Sequence, residues 1–111
     1  MSYFTRIELK RGTGFETFYA QEILYAEADD KRVILHLVDR EEGFNYLLGE
    51  FEKLLESCGL FYRVHRSYIV NFQHVKRYDA SRVVLANGVE LPLKARGFKE
   101  KYQDFIFSQH R

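Results

Sequence analysis

Apolar and polar residues alternate with a period of two along most of this chain, a pattern typical of strands with one buried face. In the first segment, Ile7 and Leu9 alternate with charged neighbours, and Gly12 and Gly14 follow as a turn signal. Similar short segments recur along the chain with turn-forming residues between them, which predicts antiparallel hairpins. The segments predicted to form strands are TRIELKR, FETFYA, ILYAEA, RVILHLVD, GFNYLL, FYRVHRSYIVN, HVKRY, RVVLA and VELPL.

Two residue pairs mark tight turns between these strands. Asp29-Asp30 separates ILYAEA from RVILHLVD, and aspartate is common in such turns. Asn87-Gly88 separates RVVLA from VELPL and is the strongest hairpin signal in the chain. A type I′ turn needs positive φ at both central residues, which asparagine and glycine tolerate, so we predict a type I′ turn there.

Two segments change to a helical period. In GEFEKLLESCG, the apolar residues recur at i, i+3, i+4 and i+7, and Gly59 follows as a stop signal. These residues are Phe51, Leu54, Leu55 and Cys58. The segment GFKEKYQDFIF places Phe98, Tyr102, Phe105 and Ile106 on one helical face. The predicted fold class is all-β, with eight to ten short strands in antiparallel sheets, one internal helix and one C-terminal helix.

The composition indicates a single folded domain. The chain has 111 residues, which suits one domain, and its 10 Phe and 8 Tyr favour a packed, β-rich core. Its single cysteine, Cys58, permits no internal disulfide and suits a reducing compartment. No apolar run reaches the length of a membrane span, and the first residues lack a signal-peptide core. We therefore expect a cytoplasmic domain that does not enter a membrane.

Charge is divided unevenly although the net charge is only +1. Residues 16–30 contain five acidic residues and no Lys or Arg. Residues 62–82 contain five basic residues against one acidic residue, and residues 94–101 contain four against one. This asymmetry indicates a polyanionic partner on one side of the molecule, with an ordinary solvated surface as the alternative.

The sequence offers little support for catalysis. Its histidines, His36, His65, His74 and His110, show no spacing to cysteine or to each other that is used in metal sites. Cys58 lies on the apolar face of its helix, which indicates a packed thiol. Glycine-rich phosphate loops are absent. We predict no catalytic residue, no metal site, no cofactor and no enzymatic activity.

The segment FYRVHRSYIVN combines strand formers with basic side chains. Alternation places Arg63 and His65 on one face and Arg66 on the other, and both faces cannot be core. The strand is therefore predicted to break near His65-Arg66-Ser67. Basic residues also lie beside other predicted turns or strand ends, at Lys31-Arg32 and Lys94–Arg96. Loops on a rigid sheet commonly carry binding residues, and arginine suits both phosphate and guanine.

These features together resemble the LytTR family of bacterial DNA-binding domains, which are output domains of response regulators. The resemblance is carried by FYRVHRSYIVNFQHVKRY, by the hairpin VVLANGVELPL and by the basic segment that contains Arg96. ILYAEADDKRVILHL and the helix leading into FYRVHRS also match. The resemblance covers about Ile7 to Phe107 of one domain spanning residues 1–111. It implies an elongated domain of small stacked antiparallel sheets with about ten strands.

The resemblance also implies how the residues are used. Family members place loops in successive major grooves, and the matching base-contact positions here are Lys31, Arg66 and Arg96. Residues expected to contact phosphate are Arg63, Lys76, Arg77 and Lys94, with an internal ion pair as the alternative for Arg63. Residues expected to order the loops are His65, Ser67 and Asn71. Lys94 stands where the family often has Ser, and Ala95 where it has a basic residue, so the last loop departs from the family pattern.

The predicted function is sequence-specific binding of promoter DNA by a bacterial transcription regulator. The free domain is predicted to be a monomer, and two copies are expected on tandem half-sites of double-stranded promoter repeats. The alternative is a protein–protein interaction module whose basic edge meets an acidic partner. The family's common receiver domain has no counterpart in this sequence, which leaves a free-standing regulator and the output half of a longer one both open.

Overall fold

The computed structural model describes residues 5–109. Residues 1–4 and 110–111, which include His110 and both ends of the predicted domain, lie outside the described residues. The described part contains ten strands in three antiparallel sheets, one short internal helix and one C-terminal helix. The molecule extends over 39 × 31 × 24 Å and is moderately elongated. The predicted fold class is confirmed.

The elements follow one another closely along the chain. The strands are β1 (Arg6–Arg11), β2 (Gly14–Tyr19), β3 (Ile23–Asp29), β4 (Arg32–Leu37), β5 (Glu41–Phe44), β6 (Phe61–His65), β7 (Tyr68–Asn71), β8 (Val75–Tyr78), β9 (Arg82–Leu85) and β10 (Glu90–Pro92). The helices are α1 (Leu48–Leu55) and α2 (Phe98–Gln109). Single 3₁₀ turns cover Ala20–Glu22, Glu56–Cys58 and Phe72–His74.

A five-stranded central sheet organises the molecule. Its strand order is β5-β4-β3-β7-β6; β1 and β2 form a separate hairpin, and β10-β9-β8 form the third sheet. Because β3 pairs antiparallel with both β4 and β7, the β3–β4 turn and the β6–β7 turn emerge at the same end of the sheet. The last residue of β5, Phe44, pairs with Val33 and lies at that end too.

The core lies on both faces of this sheet. Alternate residues of β4, including Val33 and Leu35, are fully buried on the face that α1 covers. The helix contributes Phe51, which has no exposed surface. Near the other face, aromatic rings of α2 pack on Phe72 with centroid distances of 5.5–5.7 Å. These α2 rings belong to Phe98, Tyr102 and Phe105.

Both predicted helices form, but each buries fewer of the predicted residues. Leu54 and Ile106 are 38% and 37% exposed, so neither belongs to the buried face on which it was predicted. Leu48 takes the place of Leu54 in α1, because α1 begins at Leu48 and repeats its buried face three and seven residues later. The segment GFNYLL is a strand only at Gly43 and Phe44, where β5 ends, and its last residue, Leu48, already begins α1. Cys58 is half-buried, and burial raises the pKa of its thiol.

Both predicted hairpins form, but in each the strands pair in a register that differs from the predicted one. Asp29 pairs with Arg32, so the two-residue turn is Asp30-Lys31 and not Asp29-Asp30. Asp30 adopts φ 56°, which aspartate tolerates better than most residues. This shift places Lys31 at the tip of the hairpin.

The turn at Asn87-Gly88 is not type I′. The amide of Leu85 donates to the carbonyl of Val89 at 2.9 Å, which leaves a three-residue loop between them. Only Gly88 has positive φ, at 91°. The amide of Gly88 donates to the carbonyl of Leu85, and this geometry matches a three-residue hairpin loop whose last residue is left-handed.

Candidate nucleic-acid interface

Two turns with exposed basic residues project side by side from one end of the central sheet. The β3–β4 turn carries Lys31, and the β6–β7 turn carries Arg66 and Ser67. The amide of Ala28 in β3 donates to the carbonyl of Ser67 at 2.9 Å, which ties the second turn to the strand that leads into the first. Both turns are thus fixed relative to the same rigid sheet.

A third basic segment, Lys94–Arg96, lies along β6 near the same end. The amides of Lys94 and Ala95 both donate to the carbonyl of Val64, at 2.7 and 3.1 Å. The hydroxyl of Tyr62 donates to the carbonyl of Arg96 at 2.5 Å. Burial, followed by the nearby Glu100 carboxylate, raises the pKa of the Tyr62 phenol, so this group stays a neutral donor.

The guanidinium of Arg63 holds the β6–β7 turn from inside. It donates to the carbonyls of Arg66 at 2.6 Å and His65 at 3.4 Å, and it forms an ion pair with Glu52 of α1 at 3.1 Å. The ion pair considered as the alternative for Arg63 is therefore present. Nδ1 of His65 accepts a bond from the amide of Ser67 at 3.0 Å. These bonds fix the backbone of the turn and leave the Arg66 side chain exposed.

Four exposed cations at this end form no ion pair within the part of the chain that the structure describes. Within residues 5–109 no carboxylate forms an ion pair with Lys31, Arg66, Lys94 or Arg96. By contrast, Arg82 is paired with Asp79 and Glu90. A cleft of about 290 Å³ separates Arg66 from Lys94, so these two side chains border one space. The charge on this end is available to an anionic partner.

Asn71 is fully buried and lies at the opposite end of β7 from Arg66. Its side-chain Nδ2 donates to the carbonyls of Ala20 and Ile23, both at 2.9 Å. Its Oδ1 accepts from the amide of Gln73 at 2.9 Å and caps the 3₁₀ turn there. Asn71 therefore joins the β2–β3 connection to β7 and has no contact with the basic loops.

Lys76 and Arg77 are not brought together with these loops. They are exposed residues of β8, in the three-stranded sheet. His74, just before β8, lies with Nε2 2.7 Å from the carbonyl of Gln21, on the connection that leads into the far end of β3. These two cations therefore belong to a different sheet from the turns that carry Lys31 and Arg66.

Tyr62 and Glu52 belong to the site but were not predicted from the sequence. Their partners lie 34 and 11 residues away in the chain. Neither periodicity nor turn chemistry signals such contacts. Within residues 5–109, no cluster of three or more His, Cys, Asp or Glu side chains could hold a metal ion. Neither described helix is long and apolar enough to cross a membrane.

Comparison with known proteins gives the family. The family model of the LytTr DNA-binding domain matches residues 15–103, which is well over half of the chain. The chain belongs to the LytTr DNA-binding domain family. The resemblance inferred from the FYRVHRS and NG hairpin motifs is therefore confirmed.

Individual relatives agree with this membership. Accessory gene regulator protein A of Staphylococcus aureus strains N315 and MW2 is 30% identical over 81 residues, which cover 71% of this chain. The matched segment spans only 33% of the length of those relatives. The solved LytTr DNA-binding domain of a putative methyl-accepting/DNA response regulator from Bacillus cereus superposes with a TM-score of 0.65 and 28% identity. That match covers 93% of this chain and 94% of the other.

Membership of this family identifies the class of molecule that the domain binds. The family is one of DNA-binding domains. The chain is accordingly a DNA-binding domain of the kind used in transcription regulation, and its partner is double-stranded DNA.

Proposed function

We propose that this LytTr domain binds promoter DNA in a sequence-specific way and contacts bases in successive major grooves through its loops. Lys31, Arg66 and Arg96 are the proposed base contacts. The observation that carries the proposal is that these exposed cations form no ion pair with any described residue, while the backbone around them is hydrogen-bonded to neighbouring strands and side chains. The backbone of such fixed loops loses little freedom on binding, which favours discrimination between sequences.

The dimensions of the domain support contact with more than one groove. Successive major grooves on one face of a duplex lie about 34 Å apart. The longest dimension of the domain is 39 Å, which is comparable to this spacing. Arginine donates two parallel bonds to guanine O6 and N7, which suits Arg66 and Arg96 for base contact.

We further propose that Lys76, Arg77 and Lys94 contact phosphates. The main role of Arg63 is to hold the backbone of the β6–β7 turn in place. Lys94 is the best placed of them, since it borders the cleft beside Arg66. Arg63 already donates to two backbone carbonyls and to Glu52, so any phosphate contact would come in addition to these bonds.

Replacing Lys94 with alanine is expected to weaken binding about equally for a selected and a random duplex. It should also lower the slope of log affinity against log salt by about one unit, because one phosphate contact is lost. Fluorescence anisotropy at several salt concentrations measures both quantities. Arg6→Ala, which removes a cation from the far end of β1, is the matched control and should leave the slope unchanged. A loss confined to the selected duplex would assign Lys94 to base contact instead.

Binding of DNA by the domain as a whole is tested by the same titration with wild type. Affinity for duplexes selected from a random pool should fall steeply with salt and still exceed affinity for random duplexes. If wild type shows neither salt-dependent nor sequence-dependent binding, the proposal fails and the interaction-module alternative takes its place.

We also propose that the free domain is a monomer and that two copies occupy tandem half-sites. Each helix buries an apolar face inside the molecule, with Phe51 of α1 and Phe98 of α2 almost fully buried, while Phe107 of α2 is exposed. Light scattering without DNA should give the mass of one chain. With a duplex carrying two selected sites spaced by about two helical turns, two chains should bind. A stable dimer without DNA would contradict this assignment.

A further inference from the structure

A cleft of about 460 Å³ lies beside β5, at the edge of the central sheet opposite to Lys94–Arg96. It opens at the same end of the sheet as the Lys31 turn, because Phe44 at the end of β5 pairs with Val33. None of the residues that line it is acidic. They are Lys10, Arg11, Gly12, Arg32, Gly43, Phe44, Asn45 and Tyr46.

Two cations of this cleft are uncompensated. Lys10 and Arg32 are exposed, and no described residue forms an ion pair with either. Arg11 differs, since its guanidinium bonds to Glu16 at 2.8 Å and to Glu42 at 2.7 Å. Arg11 therefore shapes the wall of the cleft, while Lys10 and Arg32 supply its net positive charge.

The two cations are carried on elements that are fixed to each other. The amide of Lys10 donates to the hydroxyl of Tyr46 at 2.8 Å, which ties β1 to the connection between β5 and α1. The guanidinium of Arg32 lies against Gly43 of β5: a Cβ on Gly43 would stand 1.7 Å from Nη2 of Arg32. The absence of a side chain at Gly43 is what gives Arg32 this position.

The position of Arg32 next to Lys31 suggests what the cleft binds. Arg32 is the first residue of β4 and follows the tip of the β3–β4 turn directly. A duplex whose bases meet Lys31 would bring its flanking sugar–phosphate backbone toward the cleft. Arg and Lys match phosphate through charge-assisted hydrogen bonds.

We propose that Lys10 and Arg32 form a DNA-phosphate site that extends the interface onto the β1–β2 hairpin. This inference rests on the proposed function, because it presupposes a duplex seated on the Lys31 turn. Its effect is to anchor the outer flank of the bound DNA at the β5 edge while Lys94 and Arg96 engage DNA at the β6 edge.

Charge removal at the site should act alike on all DNA sequences. Lys10→Ala and Arg32→Ala are each expected to weaken binding to a selected and to a random duplex by the same factor. Each should lower the salt slope by about 0.9, so the ratio of wild-type to variant affinity falls about threefold between 50 and 200 mM salt. The double variant should lower the slope by about twice as much. Arg6→Ala is the matched control, since Arg6 lies on the same face of β1, about 13 Å away at the far end of the strand.

Gly43→Ala tests the site without changing any charge. The added methyl group would stand 1.7 Å from Nη2 of Arg32, so the flexible end of that side chain must move away. We expect a loss of affinity in the same direction as that of Arg32→Ala, with the fold retained. Gly14→Ala in the β1–β2 hairpin is its control, because the nearest heavy atom there is 4.0 Å from the new carbon. That variant should bind as wild type does.

The outcomes separate this inference from the proposed function. If wild type binds no duplex, both fail. If wild type binds DNA but Lys10→Ala and Arg32→Ala behave like Arg6→Ala, the phosphate site alone is overturned. A loss limited to the selected duplex would also overturn it, since the residues would then contact bases.

Discussion

Replacing Asn71 with aspartate is expected to lower the free energy of unfolding by about 3 kcal/mol or more. Asn71 has no exposed surface, and its Nδ2 donates to the carbonyls of Ala20 and Ile23. Aspartate keeps the oxygen that accepts from the amide of Gln73. It replaces the donor with an oxygen that faces two carbonyl oxygens, and it buries a charge without an opposite charge beside it.

Urea unfolding followed by circular dichroism measures this change. Gln73→Ala serves as the control, since its side chain is only partly buried and contacts Asn71 at a long 3.4 Å. That variant should change stability by no more than about 0.5 kcal/mol. If Asn71→Asp were as stable as Gln73→Ala, the hydrogen bonds of Asn71 would not hold the β2–β3 connection to β7. Under conditions in which it is folded, the aspartate variant should keep the base preference of wild type, because Asn71 lies at the end of β7 remote from Arg66.

The sequence predicts the strands well because the period of two reflects burial on one face of a sheet. It fails where tertiary pairing decides between local alternatives. Asn87-Gly88 permits a type I′ turn, but the pairing of Leu85 with Val89 leaves three residues in the loop and only Gly88 with positive φ. In α1, Leu54 satisfies the helical period as well as Leu48 does, and only the position of the sheet determines which of the two is buried.

The candidate site shows the same division. The exposed basic positions Lys31, Arg66 and Arg96 can be selected from the sequence as candidates, because basic residues beside turn signals are visible locally. The groups that fix these loops are not visible in this way: Arg63 acts on the carbonyl of Arg66, and Tyr62 acts on the carbonyl of Arg96. Carbonyl acceptors exist at every residue, so no sequence pattern distinguishes the ones that are used.

The largest effects on DNA recognition are expected from Arg66→Ala and Arg96→Ala. Each should lower affinity for the selected duplex by about 1–3 kcal/mol, the value of one bidentate arginine–guanine contact, and affinity for random duplexes much less. Loss of folding should not contribute, since both side chains are exposed and without an internal ion pair in the described part of the chain. Unchanged melting temperatures would verify this.

In the double variant of Arg66→Ala and Arg96→Ala, the two losses of binding free energy should be nearly additive. The two loops are held by different groups, the guanidinium of Arg63 and the hydroxyl of Tyr62, and adjacent residues of a strand point to opposite faces. Contacts that share no partner usually add within about 0.5 kcal/mol. Tyr62→Phe removes only the hydroxyl that holds Arg96, so it should weaken the Arg96 contact and leave the Arg66 contact intact.

Selection of binding sites from a random DNA pool decides whether these arginines contact bases. Wild type should yield one preferred sequence, and each arginine variant should lose preference at a different end of the half-site. Tyr62→Phe should weaken the base preference at the same DNA positions as Arg96→Ala, because the Tyr62 hydroxyl holds the backbone of that loop. If both arginine variants select the wild-type sequence with uniformly lower affinity, Arg66 and Arg96 bind phosphates. The sequence preference must then come from Lys31 or from the shape of the DNA.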